Sequence, residues 1–208
     1  MADLEYFRWF FLEAAVYILL AERELTPLHA ACVAKDGYGV LLLGASGTGK
    51  STLAFECARR GWSFVADDAS WLARREPGLR ILAPPHRIRL RPGCARLFPE
   101  LHGRPVIASL PGKQFIDVAV ERLPGFVPCR ECEASALVFL SRDGTAPPGI
   151  RAVTREDAYG RLDRELVTYD APAREEQLAS LRRLAAAPAF ELRYSDASAA
   201  ADALSGLV

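Results

Sequence analysis

The chain has 208 residues, half of them hydrophobic, which suits one domain with a sizeable core and excludes wholesale disorder. Lys plus Arg and Asp plus Glu balance at 26 each, so no basic surface points to a nucleic-acid partner or an anionic membrane. The five cysteines (Cys32, Cys57, Cys94, Cys129, Cys132) are odd in number and no segment reads as a secretory leader, which argues against a disulfide framework and for a cytoplasmic protein.

In chain order, Trp9 to Leu20 (WFFLEAAVYILL) is strongly apolar but carries Glu13 and is too short to span a bilayer. It reads as an amphipathic helix docked on the domain and ending near Glu24. Residues 1–27 are thus an N-terminal helical segment and 28–208 the domain proper. A strand is expected over Leu28 to Ala34 and a turn at Lys35-Asp36-Gly37-Tyr38. A buried strand follows over Gly39 to Leu43, then a glycine-rich loop and a helix over Lys50 to Arg60, stopped by Gly61. Trp62 to Ala66 is the next strand and ends on Asp67-Asp68. A strand pair flanks Glu76-Pro77-Gly78. Arg87 to Arg91 alternates as RIRLR, a half-exposed strand. Gly93 to Leu101 suggests a short helix, and Gln114 to Val120 and Ala134 to Ser141 further strands. After residue 142 a Pro- and Arg-rich stretch precedes a helix over Ala173 to Ala187. A last strand is expected over Phe190 to Tyr194 and a closing helix over Ala197 to Leu207. The class is α/β with a mixed sheet.

Gly44-Ala45-Ser46-Gly47-Thr48-Gly49-Lys50-Ser51 matches G-x-x-x-x-G-K-[ST] in full, between an apolar strand and a helix, the context this motif requires. Gly44, Gly47 and Gly49 let the backbone curl so that N–H groups face phosphate oxygens, and the helix N-terminus adds its positive end. Lys50 then reaches the β- and γ-phosphates, and the Ser51 hydroxyl ligates Mg²⁺. Thr52, next in the helix, is counted with the seat. Only three lysines stand among 23 arginines, and one of them is Lys50.

Asp67 and Asp68 follow Lys50 by only 17 and 18 residues. Neighbouring residues at a strand end point to opposite sides, so one carboxylate can hold Mg²⁺ while the other faces an acceptor hydroxyl. The competing reading is a solvated turn. Cys129 and Cys132 have metal-ligand spacing, but no second pair completes a zinc site, so two thiols near a loop are expected. His86 and His102 are expected at the surface, as is the Arg87, Arg89, Arg91 face.

Leu28-His29, GVLLLGASGTGKSTLAFECARRGW and FVADD together resemble the C-terminal catalytic domain of HPr kinase/phosphorylase, closely over residues 28–73 and weakly beyond. The resemblance implies a mixed-sheet domain of the HPr kinase and PEP carboxykinase type, with an added N-terminal helix. It also implies ATP-dependent, Mg²⁺-assisted transfer to a serine of a protein or peptide. By position, Asp67 is the general base, Asp68 places Mg²⁺ with Ser51, and His29 is a proton-handling neighbour of the phosphates. A satisfied core residue is the alternative for His29. The family's downstream signature survives only as Pro111-Gly112-Lys113-Gln114-Phe115-Ile116-Asp117-Val118, with Ser109 and Pro111 at its Glu and Arg positions. Lys113 is the substitute phosphate contact. The missing arginine argues against phosphorolysis. The family forms rings, which leaves a homo-oligomer open. A small-molecule hydroxyl kinase and a non-catalytic nucleotide- or phosphate-binding module are the competing functions.

Overall fold

The computed structural model describes residues 14–108, 112–142, 149–166 and 170–207. Its centre is one mixed sheet. Strands β1 (Leu25–Leu28), β2 (Ala30–Lys35), β3 (Tyr38–Leu43), β4 (Ser63–Ala66), β5 (Ser70–Ala73), β6 (Arg80–Leu82), β10 (Val127–Pro128) and β11 (Glu131–Arg142) run in the order β1-β5-β6-β11-β3-β2-β4-β10. The long β11 lies beside β6 with its first residues and beside β13 (Ala189–Tyr194) with its last, and β12 (Gly149–Ala152) pairs with β13. The β3–β11, β11–β13 and β4–β10 pairs are parallel, which makes the sheet mixed, as expected. A second sheet joins β7 (Arg87–Leu90), β8 (Val106–Ala108) and β9 (Gln114–Ala119) in the order β7-β9-β8.

Both faces of the main sheet are covered, and the sequence of β2 and β3 shows how. Ala31, Val33, Val40 and Leu42 face one core with Leu53, Phe55 and Leu204. Ala30, Cys32, Ala34, Leu41 and Leu43 face the other, with Leu162, Leu181 and Leu184. Every one of these is buried, which is why the strands read as continuous apolar runs rather than alternating ones. Helices α2 (Lys50–Arg59) and α5 (Ala197–Ser205) cover the first face together with the small sheet. Helices α3 (Arg155–Glu165) and α4 (Ala171–Leu184) cover the second.

Several expectations shift. Thr26-Pro27 does not separate helix from strand: β1 starts at Leu25 and pairs with β5 over Leu25–Leu28, and the chain breaks at His29 before β2. The edge position of β1 tolerates a proline, which has no N–H to give the ladder. The helix expected over 93–101 is two 3-10 turns, Pro92–Arg96 and Pro99–Leu101, separated before Pro99. Helix α3 and strands β1, β8, β10 and β12 were not anticipated.

The N-terminal helix is described as α1 (Ala14–Arg23); residues 9–13 of the expected segment lie outside the described residues. Val16, Ile18, Leu19 and Leu20 are exposed, so these apolar side chains do not seat it. Its C-terminal carbonyls do so instead. The buried Arg74 guanidinium donates to the carbonyls of Ala21, Glu22 and Leu25, and Gln177 Nε2 donates to Ala21 O. Late helix carbonyls lack partners of their own, and a cation there also meets the negative end of the helix dipole. No helix among the described residues is long and apolar enough to cross a membrane.

Candidate active site

Sheet register gathers the polar residues at one end of the sheet. Strand β2 runs antiparallel to β3 with Ala30 opposite Leu43, so His29 comes level with Gly44. Strand β4 runs antiparallel to β2 with Cys32 opposite Ala66, so the two aspartates after β4 emerge on the same level. Residues far apart in sequence thus meet because two hairpin-like pairings fix where each strand stops.

The loop between β3 and α2 has the curled backbone that its glycines allow. Gly44, Gly47 and Gly49 sit at φ of 142°, 91° and 97°, in the region where a Cβ is strained. Gly49 carries a second constraint, since a Cβ there would fall on the Tyr194 hydroxyl. That hydroxyl donates to Thr48 O at 2.6 Å and braces the loop from β13. The Thr48 hydroxyl donates to Ala45 O at 2.8 Å, closing the loop on itself. Ala45, Ser46 and Gly47 form its exposed crest. Helix α2 starts directly at Lys50, with its N-terminal backbone N–H groups turned to the loop.

Lys50 is 5% exposed, and its ammonium donates to Gly44 O at 2.7 Å and lies 3.1 Å from His29 Nε2. Burial lowers its pKa, and the charges of Asp68 and Glu165 pull it back up. His29 Nε2 is 3.0 Å from Asp68 Oδ1, and His29 Nδ1 is 3.2 Å from Glu165 Oε2. Lys50 Nζ and Asp68 Oδ1 are 3.9 Å apart. His29 is therefore no core histidine: its ring joins the loop lysine to two carboxylates.

The two aspartates are treated differently by their surroundings. Asp68 is 63% exposed and faces His29 and Lys50. Asp67 is half-buried, and its Oδ2 accepts from Arg89 N–H on β7 at 2.7 Å. Burial raises the Asp67 carboxyl to about 6; the Arg89 N–H opposes this and the neighbouring Asp68 charge adds to it. Ser51 Oγ donates to the backbone carbonyl of Asp67 at 3.2 Å, so Ser51 meets the acidic pair through Asp67 rather than through the Asp68 carboxylate. Among the described residues no cluster of three or more His, Cys, Asp or Glu has metal-site geometry.

Two of the expected seat residues lie elsewhere. The Thr52 hydroxyl meets Cys94 Sγ at 3.4 Å, tying α2 to the first 3-10 turn. Lys113 is exposed at the β8–β9 connection, on the small sheet rather than on the loop and helix that carry the others. Ser109 and Pro111 lie outside the described residues. Arg87, Arg89 and Arg91 are exposed, as expected, and Arg87 and Arg89 lie 2.8 and 3.6 Å from the Asp117 carboxylate. Cys132 is not in a loop but buried within β11, 3.6 Å from Cys32 Sγ across Gly39. Cys129 Sγ donates to Glu131 O.

Sequence reasoning missed Glu165 and Tyr194. A signal for Glu165 existed: Thr154 caps α3 by accepting from Asp157 N–H, and Ala158 and Leu162 are spaced by four as buried residues. Glu165 shares a cleft of about 240 Å³ with Leu43, Gly44, Phe139, Leu140, Arg161 and Arg164. Nothing local in the sequence marks Tyr194, since only the packing of β13 brings it under the loop.

A strand, glycine loop and helix with a buried lysine, followed by an acidic strand end, has the chemistry that suits a phosphate group. A family model described as SynChlorMet cassette protein ScmC matches residues 2–83. An HPr kinase/phosphorylase of Bordetella pertussis is 48% identical over 54 residues, 26% of this chain and 18% of that protein. One of Geobacter sulfurreducens is 34% identical over 108 residues, 49% of this chain and 33% of that protein. The chain therefore spans a third or less of the length of these relatives. A solved HPr(Ser) kinase/phosphatase from Coxiella burnetii has a TM-score of 0.44 at 17% identity, covering 82% of this chain and 85% of that one. The chain is thus similar over part of its length to HPr kinase/phosphorylases.

Proposed function

We propose that this chain is a kinase that transfers the γ-phosphoryl group of ATP, with Mg²⁺, to a serine hydroxyl of a protein or peptide. The observation that carries this reading is the placement of a half-buried, proton-hungry Asp67 beside Ser51, at the mouth of a loop whose lysine is buried. The names of the relatives, kinases of the protein HPr, support a protein acceptor.

The curled loop with its buried lysine supports the nucleotide, and the Ser51 hydroxyl with the exposed Asp68 carboxylate supports Mg²⁺. Triphosphate oxygens would meet the N–H groups of the loop and of the first turn of α2, with Lys50 Nζ between Gly44 O and His29 as the local positive charge. Mg²⁺ would be held by Ser51 Oγ and Asp68, and when bound it supplies neutralisation of charge on the transferring group. Asp67 takes the proton from the acceptor hydroxyl. The serine oxygen forms its bond to the γ-phosphorus as the bond to the β–γ bridging oxygen breaks, and ADP leaves. A carboxylate raised to about 6 is better matched to this than an ordinary aspartate, because a base works best near the operating pH. Positioning and charge neutralisation do the rest.

The test is transfer of labelled γ-phosphate to a serine-bearing protein or peptide by the wild type and by Asp67→Asn. Loss of transfer with nucleotide binding retained supports the reading. Transfer unchanged in the variant removes Asp67 as base. Binding without transfer by the wild type would favour the non-catalytic module, and transfer only to small hydroxyl compounds the small-molecule kinase.

A further inference from the structure

Hydrogen-bond chemistry constrains the His29 ring more tightly than its distances alone suggest. An ammonium only donates and a carboxylate only accepts. Toward Lys50 Nζ, at 3.1 Å, His29 Nε2 has to accept. Toward Asp68 Oδ1, at 3.0 Å, the same atom has to donate. A single nitrogen does one or the other. The other ring nitrogen has no such choice, because among the described residues Nδ1 faces only Glu165 Oε2, at 3.2 Å, and must carry a proton to bond it. A neutral ring whose proton sits on Nδ1 leaves Nε2 as an acceptor for Lys50.

We propose that Glu165 is a positioning residue for this site: it holds the His29 ring proton on Nδ1, so that Nε2 presents its lone pair to Lys50. Lys50 Nζ is then held from two sides, by Gly44 O and by His29, over the loop rather than drawn down to Asp68. Asp68 is left exposed and available. Which nitrogen of a histidine is protonated is set by the bond that the other one makes, and an outer carboxylate partner is a common way to set it. Glu165 comes from the last turn of α3, about a hundred residues beyond the acidic pair, so it links the second helical layer to the loop. Its effect on rate rests on the kinase reading above; its effect on the ring does not.

The experiment reads the ring directly. Nitrogen-15 NMR of the imidazole rings is recorded on the full chain at a pH high enough to leave one proton per ring. His29 is assigned among the three histidines by a His29→Asn variant. The wild type is expected to show His29 protonated at Nδ1. Glu165→Ala moves the proton to Nε2 or to a mixture, and Glu165→Gln, whose amide oxygen still accepts, keeps it on Nδ1. Both changes fall on a half-exposed side chain, so the fold is retained, and the His86 and His102 signals serve as internal checks. In the transfer assay, Glu165→Ala lowers kcat by about tenfold or more with KM for ATP little changed, and Glu165→Gln restores most of it. A wild-type ring protonated at Nε2, or a ring unaltered by Glu165→Ala, overturns the assignment. The expected ring signature in a wild type without transfer activity would support the assignment while removing the kinase reading.

Discussion

The loop end of the molecule and its C-terminal third, from β12 onward, contribute to one site by different physical routes. Residues 44–51, the proposed phosphate seat, work through what every chain shares, backbone N–H groups and the start of a helix, so their residue types are dictated locally. The C-terminal third contributes single side chains, Glu165 from α3 and Tyr194 from β13, each delivered by packing, while Asp202 from α5 meets Arg60 at the far end of α2. The difference teaches that the chemistry can be written in a short motif while its bracing is spread over the fold.

That contrast is broken most sharply at Lys50. Lys50→Ala is expected to lower phosphoryl transfer by at least about 10²-fold, the scale for removing one preorganised charge partner. A rate within a few-fold of wild type would move the chemistry away from the loop. Gly49→Ala attacks both regions at once, since it forces a side chain into a φ of 97° and against the Tyr194 hydroxyl. A loss of about 1–3 kcal/mol from the backbone alone is expected, seen as a lower melting temperature and weaker nucleotide binding.

Asp67→Asn tests whether the site stores strain. Its carboxyl titrates near 6 in the folded chain, against about 3.9 for an unfolded aspartate. The folded state thus holds this proton more tightly. Its contribution to stability is fully present below about pH 4 and is lost as pH rises through about 6. Thermal melts should show Asn gaining on the wild type at neutral pH, with the gap closing in acid. An equal gap at both pH values would mean that Asp67 ionises without penalty. Tyr194→Phe removes only the bond to Thr48 O, and about 1 kcal/mol of stability with a modest rise in KM for ATP is expected. Smallest of all, Asp202→Ala breaks an exposed pair with Arg60 and should cost under about 1 kcal/mol, with transfer unchanged.

Part of the proposed site was legible because a glycine-rich stretch between an apolar strand and a helix leaves few alternatives: the loop curls at Gly44, Gly47 and Gly49, α2 starts at Lys50, and the aspartates follow β4. His29 was readable only as a neighbour of the loop strand; that its ring meets Lys50, Asp68 and Glu165 follows from the β2–β3 and β2–β4 registers. Helix α3 was hidden because its buried face is thin, with only Ala158 and Leu162 fully covered among many charges. Strand β1 was hidden by Pro27, which reads as a break until the strand is known to lie on an edge. Thr52 and Lys113 were assigned from sequence position, which does not say where a hydroxyl or an ammonium ends up.

The most direct measurement is a thermal-shift titration with ATP, ADP and GTP, with and without Mg²⁺, on the wild type and on Lys50→Ala. A ligand at a hundred times its Kd stabilises the chain it binds by about 2.7 kcal/mol. A Mg²⁺-dependent shift with ATP in the wild type, lost in Lys50→Ala, is the predicted result. No shift with any nucleotide, or an equal shift in the variant, would contradict the assignment of residues 44–51 as a nucleotide seat.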